Sequence, residues 1–391
     1  MNEGGERIVI VGGGPAARAA VEAYREVGGA GTVTILARED EVPYERPPLT
    51  KGFLRGESGR EALPLADRGW YAERRIDLRT GTEVAELDLG AAAARTAAGE
   101  AFGFDRVLLA TGAEPIVPSI PGADGPLVQT VRRIGDAERL AELGDGDRAL
   151  VVGSGFIGCE AAASLAMRGA EVTVATLEAA PQVERLGEEV ADRIVGWLEE
   201  LGVDVLGETE LASIGSAGDR AGRARFAGGT EIVADRIVLA LGVERNAGLA
   251  AAAGIAVEDG VEVDAAMASA DPRVSAAGDV AFAFNASAGR RLRVEHWGEA
   301  LNMGAVAGRA MAGEEAAWDA APGFWSTIGE RTIKYVGWGD GWDERRFEAG
   351  KDGAFACWYG REGAVVGVAT HGDDAAYDRG RGLIEERASW S

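Results

Sequence analysis

Two glycine-rich loops, each following a run of apolar residues, constrain this chain more than any other feature of its sequence. Residues 8–17 read Ile-Val-Ile-Val-Gly-Gly-Gly-Pro-Ala-Ala, and residues 149–158 read Ala-Leu-Val-Val-Gly-Ser-Gly-Phe-Ile-Gly. Each segment predicts a buried strand, a tight turn and the start of a helix, the arrangement that holds the pyrophosphate of a dinucleotide. One such loop is a weak signal, whereas two in the same context favour a protein that holds two dinucleotides.

The small residues of each loop have separate physical roles. The first glycine allows the tight turn, the second lets the backbone approach a phosphate, and the third small residue lets the helix pack close to the sheet. The phosphate then meets unpaired N–H groups at the positive end of the helix dipole. The residues in these roles are Gly12, Gly14 and Ala17 in the first loop and Gly153, Gly155 and Gly158 in the second. Two bound dinucleotides suggest hydride transfer between them.

The same strand–helix–strand unit is repeated around the two loops, and each repeat is followed by an apolar strand that ends near a glycine, Gly112 or Gly242. The predicted strands and helices are 8–11, 15–26 and 32–37 in the first repeat, and 148–152, 156–168 and 171–175 in the second. A long helix is predicted at 187–201. After residue 316 aromatic residues and Gly-Asp turns predict short antiparallel strands, followed by a helix near 375–387.

These patterns predict an α/β fold with two Rossmann-like dinucleotide-binding domains, the second inserted in the first, and a small α+β carboxy-terminal domain. The expected boundaries are 1–115 and 245–315 for the first domain, 116–244 for the second and 316–391 for the carboxy-terminal domain.

Composition excludes several classes of partner. The net charge of −24 argues against nucleic acid and anionic membranes. Residues 1–6 lack the basic segment and apolar core of a signal peptide, and no uncharged apolar run reaches the ~18 residues of a membrane span. The two cysteines, Cys159 and Cys357, have no metal-binding spacing. We therefore expect a cytoplasmic protein without a metal site.

A proline-rich loop carries the most specific motif. Residues 43–51 read Pro-Tyr-Glu-Arg-Pro-Pro-Leu-Thr-Lys and resemble the Pro-Tyr-x-Arg-Pro-Pro-Leu-Ser-Lys loop of the ferredoxin, putidaredoxin and rubredoxin reductases, a group that includes apoptosis-inducing-factor-like proteins. The segments 110–112 (Ala-Thr-Gly), 278–279 (Gly-Asp) and 295–297 (Glu-His-Trp) also match. The resemblance covers nearly the whole chain, and it implies FAD as the first dinucleotide and NAD(P)H as the second.

The resemblance assigns the binding residues of each dinucleotide. Besides the first glycine loop, the implied FAD contacts are Arg38, Glu39, Arg46, Pro47, Ala110, Thr111, Gly112, Gly278, Asp279, His296 and Trp297. Besides the second loop, the implied NAD(P)H contacts are Phe156, Ile157, Thr176 and Gly242. Trp297 is expected near the flavin ring at the acceptor face.

Lys51 and Glu160 are the candidate catalytic residues. Lysine is rare in this chain, with Lys51, Lys334 and Lys351 against 37 arginines. The resemblance implies a buried Lys51–Glu160 pair beside the flavin, where the ammonium stabilises the charge that develops on reduction and the carboxylate keeps the lysine charged. The alternative for Glu160 is an ordinary exposed helix residue.

The ribose-binding positions depart from the family pattern. An acidic residue is expected after the second strand of each repeat, but the first repeat has Arg38 followed by Glu39, and either could meet the adenosine. The second has Thr176, with Glu178 two residues later, and Arg185 could help to bind a 2′-phosphate. NADH and NADPH both stay open, with the family favouring NADH.

Other reactive residues have mainly structural interpretations. Cys159 is expected to be a small buried residue that packs the loop helix. His296 could donate a proton or bond the flavin face, and His371 is expected to be structural or exposed. Glu299 and Met303 stand where an amide-bearing pair is expected, which leaves the acceptor-side contacts undefined.

The resemblance implies an FAD-dependent NAD(P)H oxidoreductase that passes electrons to a small iron–sulfur protein such as ferredoxin or rubredoxin. Such acceptors are usually acidic, and residues 41–79 supply eight basic side chains against seven acidic ones. An NADH oxidase or quinone reductase, and an apoptosis-inducing-factor-like protein that senses NADH with low turnover, remain alternatives. The oligomeric state is undecided, and a homodimer is compatible with the sequence.

Overall fold

A computed structural model describes residues 5–218 and 220–390. Most of the segment used above to exclude a signal peptide, residues 1–4, lies outside the described residues. The chain divides into two compact units. Unit 1 comprises residues 1–45, 63–113 and 245–324, and unit 2 comprises residues 46–62, 114–244 and 325–391. The chain thus leaves unit 1 after Glu45 and returns at Leu63, then leaves it again after Ala113 and returns at Arg245. The three predicted domain boundaries stay a prediction.

The α-helices of the described residues are α1 (Pro15–Glu26), α2 (Gly52–Arg55), α3 (Arg68–Glu73), α4 (Ile134–Leu140), α5 (Phe156–Met167), α6 (Val183–Leu186), α7 (Glu188–Glu200), α8 (Gly248–Ala252), α9 (Trp297–Met311) and α10 (Asp374–Glu385). Short 3₁₀ helices span Pro47–Thr50 and Arg60–Ala62. The helices predicted from the sequence match α1, α5, α7 and α10 to within two residues at each end.

The β-strands are β1 (Arg7–Val11), β2 (Thr32–Leu36), β3 (Ile76–Arg79), β4 (Val84–Asp88), β5 (Ala93–Thr96), β6 (Ala101–Gly103), β7 (Arg106–Leu109), β8 (Ala113–Pro115), β9 (Val128–Gln129), β10 (Arg148–Val152), β11 (Glu171–Ala175), β12 (Val203–Leu206), β13 (Leu211–Ser216), β14 (Gly222–Phe226), β15 (Glu231–Ala234), β16 (Arg236–Leu239), β17 (Val243–Arg245), β18 (Val261–Val263), β19 (Val274–Ala276), β20 (Ala281–Asn285), β21 (Arg290–Arg293), β22 (Gly323–Ile328), β23 (Arg331–Gly337), β24 (Glu344–Ala349), β25 (Phe355–Arg361) and β26 (Ala364–His371).

Unit 1 is built on a parallel sheet in the order β19-β7-β1-β2-β3. The central strand β1 is apolar and buried from Ile8 to Val11, as expected for a strand in the middle of a parallel sheet that is covered on both faces. Helix α1 follows it and packs against α9, where Gly304 and Gly308 allow the close approach. A Cβ at these glycines would collide with the backbone of Ala16 and Ala20. Small residues therefore hold the first loop helix against the rest of unit 1.

Unit 2 repeats this architecture with a parallel sheet in the order β12-β11-β10-β16-β9. Strand β10 pairs with β11 and β16, as β1 pairs with β2 and β7. The predicted repeat of two Rossmann-like units is confirmed. One face of this sheet packs on the antiparallel β13-β14-β15 strands through buried residues that include Leu150, Ala224 and Ile237.

The carboxy-terminal residues form an antiparallel sheet in the order β22-β23-β26-β25-β24, packed against α10. Its aromatic residues are mainly core: Phe355, Trp358 and Tyr359 are buried, whereas Trp325 on β22 is exposed. The predicted short antiparallel strands and final helix are confirmed.

Across residues 5–218 and 220–390, no helix combines the length and apolar character needed to cross a membrane. The same residues contain no cluster of three or more His, Cys, Asp or Glu side chains arranged to hold a metal ion.

Candidate dinucleotide sites

The first glycine loop in unit 1 has the geometry of a phosphate cradle. Gly12 has a φ of +117°, and a Cβ there would collide with the carbonyl of Ala110, so glycine is required. Gly14 precedes α1 without a side-chain cap, and a Cβ at Gly14 would meet no atom within 4 Å. Pro15 has no N–H, so the N–H groups that begin α1 belong to the residues after it, next to the bare backbone of Gly14. Fully buried Ala17 packs the helix behind them, so these residues fit a pyrophosphate.

The second loop in unit 2 repeats this geometry. Gly153 has a φ of +103°, and a Cβ there would collide with the carbonyl of Ala240. A Cβ at Gly155, like one at Gly14, would meet no atom within 4 Å. A Cβ at Gly158 would collide with the Gly153 carbonyl. The third glycine therefore brings α5 against the loop, as the spacing predicted. Ile157 in the first turn of α5 is 50% exposed, which leaves an apolar side chain at the mouth of the loop.

At the carboxyl end of β2, Arg38 is exposed and Glu39 is half-buried. The hydroxyl of Tyr44 donates a hydrogen bond of 2.5 Å to Glu39 Oε2. Tyr44 belongs to the proline-rich motif, so one end of that motif orients the acidic side chain that follows the second strand. This contact therefore orients the Glu39 carboxylate at the carboxyl end of β2, where an acidic residue is expected in a dinucleotide-binding unit.

At the carboxyl end of β11, Thr176 is buried and its hydroxyl accepts a 2.7 Å hydrogen bond from Ser154 Oγ. Glu178 is half-buried, and its Oε2 accepts the Glu184 N–H at 3.2 Å. Gln182, which the sequence did not single out, donates from Nε2 to the Ser154 carbonyl at 3.2 Å. The segment after β11 is therefore tied to the glycine loop, with the Glu178 carboxylate as its oriented acidic group.

Arg185, considered above for binding a 2′-phosphate, contacts aromatic residues of unit 2. Its guanidinium lies 5.7 Å from the centre of the Tyr335 ring, and its carbonyl accepts a hydrogen bond of 3.0 Å from Trp342 Nε1. These contacts join the segment after β11 to the carboxy-terminal sheet. The Arg185 guanidinium is attracted to the face of the Tyr335 ring, as a cation is to an aromatic ring.

Lys51 and Glu160 form an ion pair of 2.5 Å, as the resemblance implied. Glu160 is only 3% exposed, which excludes the alternative of an ordinary surface residue. Lys51 Nζ and Thr50 Oγ1, at 2.6 Å, both donate to Glu160 Oε2. Ser326 Oγ at 2.7 Å and the Thr327 N–H at 3.2 Å donate to Oε1. Both oxygens of this buried carboxylate are thus satisfied, as a buried charge requires.

Thr50, Ser326 and Thr327 were not predicted as site residues. Thr50 lies within the Pro-Tyr-x-Arg-Pro-Pro-Leu-Ser-Lys-like motif, which was the available signal for it. Ser326 and Thr327 lie on β22, far from either motif in sequence, and no local pattern marks them.

The proline-rich loop holds Lys51 rigidly. Pro47 begins a 3₁₀ helix, and its carbonyl accepts a 3.2 Å hydrogen bond from Lys51 Nζ. The carbonyl of Thr50 accepts a 2.6 Å bond from Ser164 on α5. Arg46 donates to the carbonyl of Arg132 at 2.6 Å. The prolines restrict the backbone of the loop, and these hydrogen bonds hold residues 46–51 in place within unit 2.

The two glycine turns implied at the flavin lie in unit 1. Gly112 and Gly278 have φ values of +65° and +79°, which favour glycine. A Cβ at Gly278 would lie 3.3 Å from the Ala16 Cβ on α1. This turn therefore packs directly on the helix of the first glycine loop, with the half-buried Asp279 beside it.

His296 and Trp297 stand at the start of α9, and both are half-buried. The His296 ring lies 4.7 Å from the Phe324 ring. Glu299 is buried, and its carboxylate accepts hydrogen bonds from Trp318 Nε1 at 2.8 Å and Asn302 Nδ2 at 3.3 Å. Glu299 thus anchors α9 to Trp318, which gives the unexpected acidic residue a structural role.

The cysteines and His371 are structural. Cys159 is buried as predicted, and burial raises the pKa of its thiol to about 12. Burial also raises the pKa of the Cys357 thiol to about 11. His371 Nδ1 lies 2.8 Å from the Thr332 carbonyl, and its ring packs 4.8 Å from that of Trp197.

Several known proteins are similar to this chain in sequence. Residues 6–304 match the family described as pyridine nucleotide-disulphide oxidoreductase. Rhodocoxin reductase of Rhodococcus erythropolis is 32% identical over 84% of this chain and 78% of its own. The ferredoxin–NAD(+) reductase component of the anthranilate 1,2-dioxygenase system of Burkholderia cepacia is 35% identical over 84% of this chain and 81% of its own.

A solved structure agrees with these relatives. Putidaredoxin reductase, in its covalent complex with putidaredoxin, matches with a TM-score of 0.92 and 28% identity over 98% of this chain and 94% of its own. The resemblance inferred from the sequence motifs is confirmed. The chain belongs to the pyridine nucleotide-disulphide oxidoreductase family, in the group of the ferredoxin, rubredoxin and putidaredoxin reductases.

Proposed function

We propose that this protein is an FAD-dependent oxidoreductase that takes electrons from NAD(P)H and passes them to a small iron–sulfur protein. The observation that carries the proposal is the pair of glycine cradles, one in each unit, together with the buried Lys51–Glu160 pair. The relatives named as ferredoxin and rubredoxin reductases support the same activity.

FAD would be held by unit 1. The backbone of Gly12 and Gly14 and the first turn of α1 would bind its pyrophosphate, and Glu39 would accept a hydrogen bond from the adenosine ribose. The turns at Thr111 and Asp279 would line its flavin half. When bound, FAD supplies a ring that accepts a hydride and releases electrons singly.

Lys51 would place a positive charge where negative charge develops during flavin reduction. A preorganised charge in a site from which water is largely excluded stabilises a transition state without reorganisation. Glu160 would fix the direction of the ammonium, because its own two oxygens are held by Thr50, Ser326 and Thr327. Glu160 acts on the reaction through Lys51, and is a positioning residue in this proposal.

The nicotinamide dinucleotide would be held by unit 2, with its pyrophosphate at Gly153, Gly155 and the first turn of α5. Glu178 would accept a hydrogen bond from the adenosine ribose, since its carboxylate is held in place at the carboxyl end of β11. Thr176 would support the loop through Ser154. A carboxylate there repels a 2′-phosphate, so we propose that NADH is preferred.

We propose a cytoplasmic location. Cys159 and Cys357 are free thiols within the described residues, as expected in a reducing compartment.

Anaerobic stopped-flow mixing of the purified protein with NADH or NADPH tests the proposal. Fast loss of flavin absorbance near ~450 nm with NADH, followed by reduction of added ferredoxin or rubredoxin, is the expected result. Purified protein that neither contains nor binds FAD would refute the proposal. Slow reduction with a persistent long-wavelength band would instead indicate an NADH-sensing protein, and rapid reoxidation by quinone alone a quinone reductase.

A further inference from the structure

Two consecutive residues outside all of the predicted motifs contact both flavin turns of unit 1. They are Arg245 and Asn246, at the point where the chain re-enters unit 1. Asn246 faces Thr111 and exchanges hydrogen bonds with it in both directions. Thr111 Oγ1 donates to the Asn246 carbonyl at 2.9 Å, and Asn246 Nδ2 donates to the Thr111 carbonyl at 2.8 Å. The Asn246 N–H also donates to the Gly112 carbonyl at 3.0 Å.

Arg245 reaches the other turn. Its side chain is only 7% exposed, and its Nε donates to the Asp279 carbonyl at 2.6 Å. Its Nη2 donates to Glu295 Oε1, also at 2.6 Å. Gly260 leaves room for this side chain, because a Cβ there would lie 2.9 Å from Arg245 Cδ. A buried guanidinium bound by a carboxylate and a carbonyl has little freedom, since its charge is paired and two of its N–H groups are held in fixed directions.

The turns themselves need such support. Gly112 and Gly278 let the backbone adopt left-handed conformations, but glycine also loses the most conformational freedom on ordering. Turns that are already ordered bind a ligand more tightly, because binding then causes no further loss of conformational entropy in them. Arg245 and Asn246 make four hydrogen bonds to these two turns, counting both directions of the Thr111 exchange, and the bond to Glu295 fixes the Arg245 side chain.

We propose that Arg245 and Asn246 are positioning residues for FAD, which hold the turns at Thr111 and Asp279 in their binding geometry before the cofactor arrives. The inference rests on the proposed function, since it takes these turns as part of the FAD site. It adds two residues that the glycine loops and the family motifs do not include. The chain thus re-enters unit 1 through the residues that organise the cofactor site.

The test is a titration of apoprotein with FAD, followed by flavin fluorescence, on Asn246→Asp and Arg245→Ala. Asn246→Asp keeps the shape and loses the Nδ2 donor, so the Thr111 carbonyl is left unsatisfied. We expect FAD to bind at least about ten-fold more weakly in both variants. Arg245→Lys keeps the positive charge but replaces the forked guanidinium by a single nitrogen, and should recover part of the affinity.

Matched controls separate positioning from general destabilisation. Arg273 forms an ion pair of the same length with Asp271, 2.6 Å, in a more exposed position, and bonds the Leu89 carbonyl at 2.8 Å. Asn285 bonds the Ala320 carbonyl at 3.0 Å. Arg273→Ala and Asn285→Asp should lower the melting temperature of the apoprotein yet leave FAD affinity within about two-fold of the unaltered protein.

Folded Asn246→Asp and Arg245→Lys proteins that bind FAD as tightly as the controls would overturn the inference. Failure of the unaltered apoprotein to bind FAD would overturn the proposed function instead, so the two failures are distinguishable.

Discussion

Replacement of Lys51 by methionine is the sharpest test of the candidate site. Methionine has a similar length and no charge, so it removes the 2.5 Å ion pair with Glu160 while nearly conserving volume. The carboxylate keeps its bonds from Thr50, Ser326 and Thr327. The variant should therefore fold, and its change in flavin reduction should report the loss of the charge.

The size of both effects follows from the surroundings. Breaking a buried ion pair costs about 3–5 kcal/mol when the remaining charge has no other partner. Glu160 retains three donors, so we expect a loss of about 2–3 kcal/mol in the free energy of unfolding. A preorganised group that stabilises developing charge is worth about 10²–10³ in rate. Lys51 is 17% exposed, and water screens part of its charge, so we expect flavin reduction to slow about 100-fold.

Anaerobic stopped-flow measurement over a range of NADH concentrations gives the limiting rate and the apparent dissociation constant separately. We expect the limiting rate to fall and the dissociation constant to stay unchanged. Lys334→Met is the matched control, because Lys334 forms an exposed 2.7 Å ion pair with Asp374. Such pairs contribute at most about 1 kcal/mol, and the control should reduce flavin at the unaltered rate.

The double variant Lys51→Met with Glu160→Gln separates stability from catalysis. It leaves no buried charge, so it should recover stability relative to Lys51→Met without recovering the rate. A folded Lys51→Met protein that reduces flavin as fast as the Lys334→Met control would refute the catalytic role of the lysine. A double variant that regained the rate would show that the uncompensated carboxylate, and not the missing ammonium, slowed the reaction.

Three further predictions concern other parts of the structure. Gly155→Ala adds a methyl group in open space at the second cradle, so it should fold normally and weaken NADH binding about ten-fold; the control Gly153→Ala meets both a steric collision and a φ of +103°, and should lower the melting temperature in calorimetry. Glu178→Gln removes the proposed repulsion of a 2′-phosphate and should raise the ratio of kcat/KM for NADPH to that for NADH by about ten-fold in steady-state assays; an unchanged ratio would count against the role of Glu178. Cys159, with its pKa raised to about 12 by burial, should resist thiol reagents at pH 8 in the folded protein and react after denaturation. Because the unfolded thiol, with a pKa near 9.0, loses its proton first, this residue should make the free energy of unfolding fall as pH rises from about 9 to about 12; rapid labelling of the native thiol would contradict its burial.

Local patterns in the sequence were sufficient to predict the two Rossmann-like units. Strand, glycine turn and helix follow each other within about thirty residues, so the dihedral needs of Gly12 and Gly153 are expressed next to the helices that they introduce. The motif around Lys51 was readable for the same reason, since its prolines restrict the backbone of the segment that carries the lysine. The burial of Glu160 could be predicted only through its partner Lys51, which lies in a recognisable motif. An acidic residue in the first turns of a helix is otherwise commonly exposed.

The tertiary structure alone decided which side chains complete these sites. Ser326 bonds Glu160 across 166 positions of the chain, and Asn246 bonds Thr111 across 135. Neither residue has a local signature, because a serine or an asparagine in a strand or loop has many structural uses. By itself, the sequence determined the parallel sheets, the phosphate cradles and the lysine motif, since these depend on backbone conformation and spacing over short distances. Only the folded chain selected the hydrogen-bond partners that hold the buried carboxylate and the flavin turns, because those partners meet through packing between segments far apart in sequence.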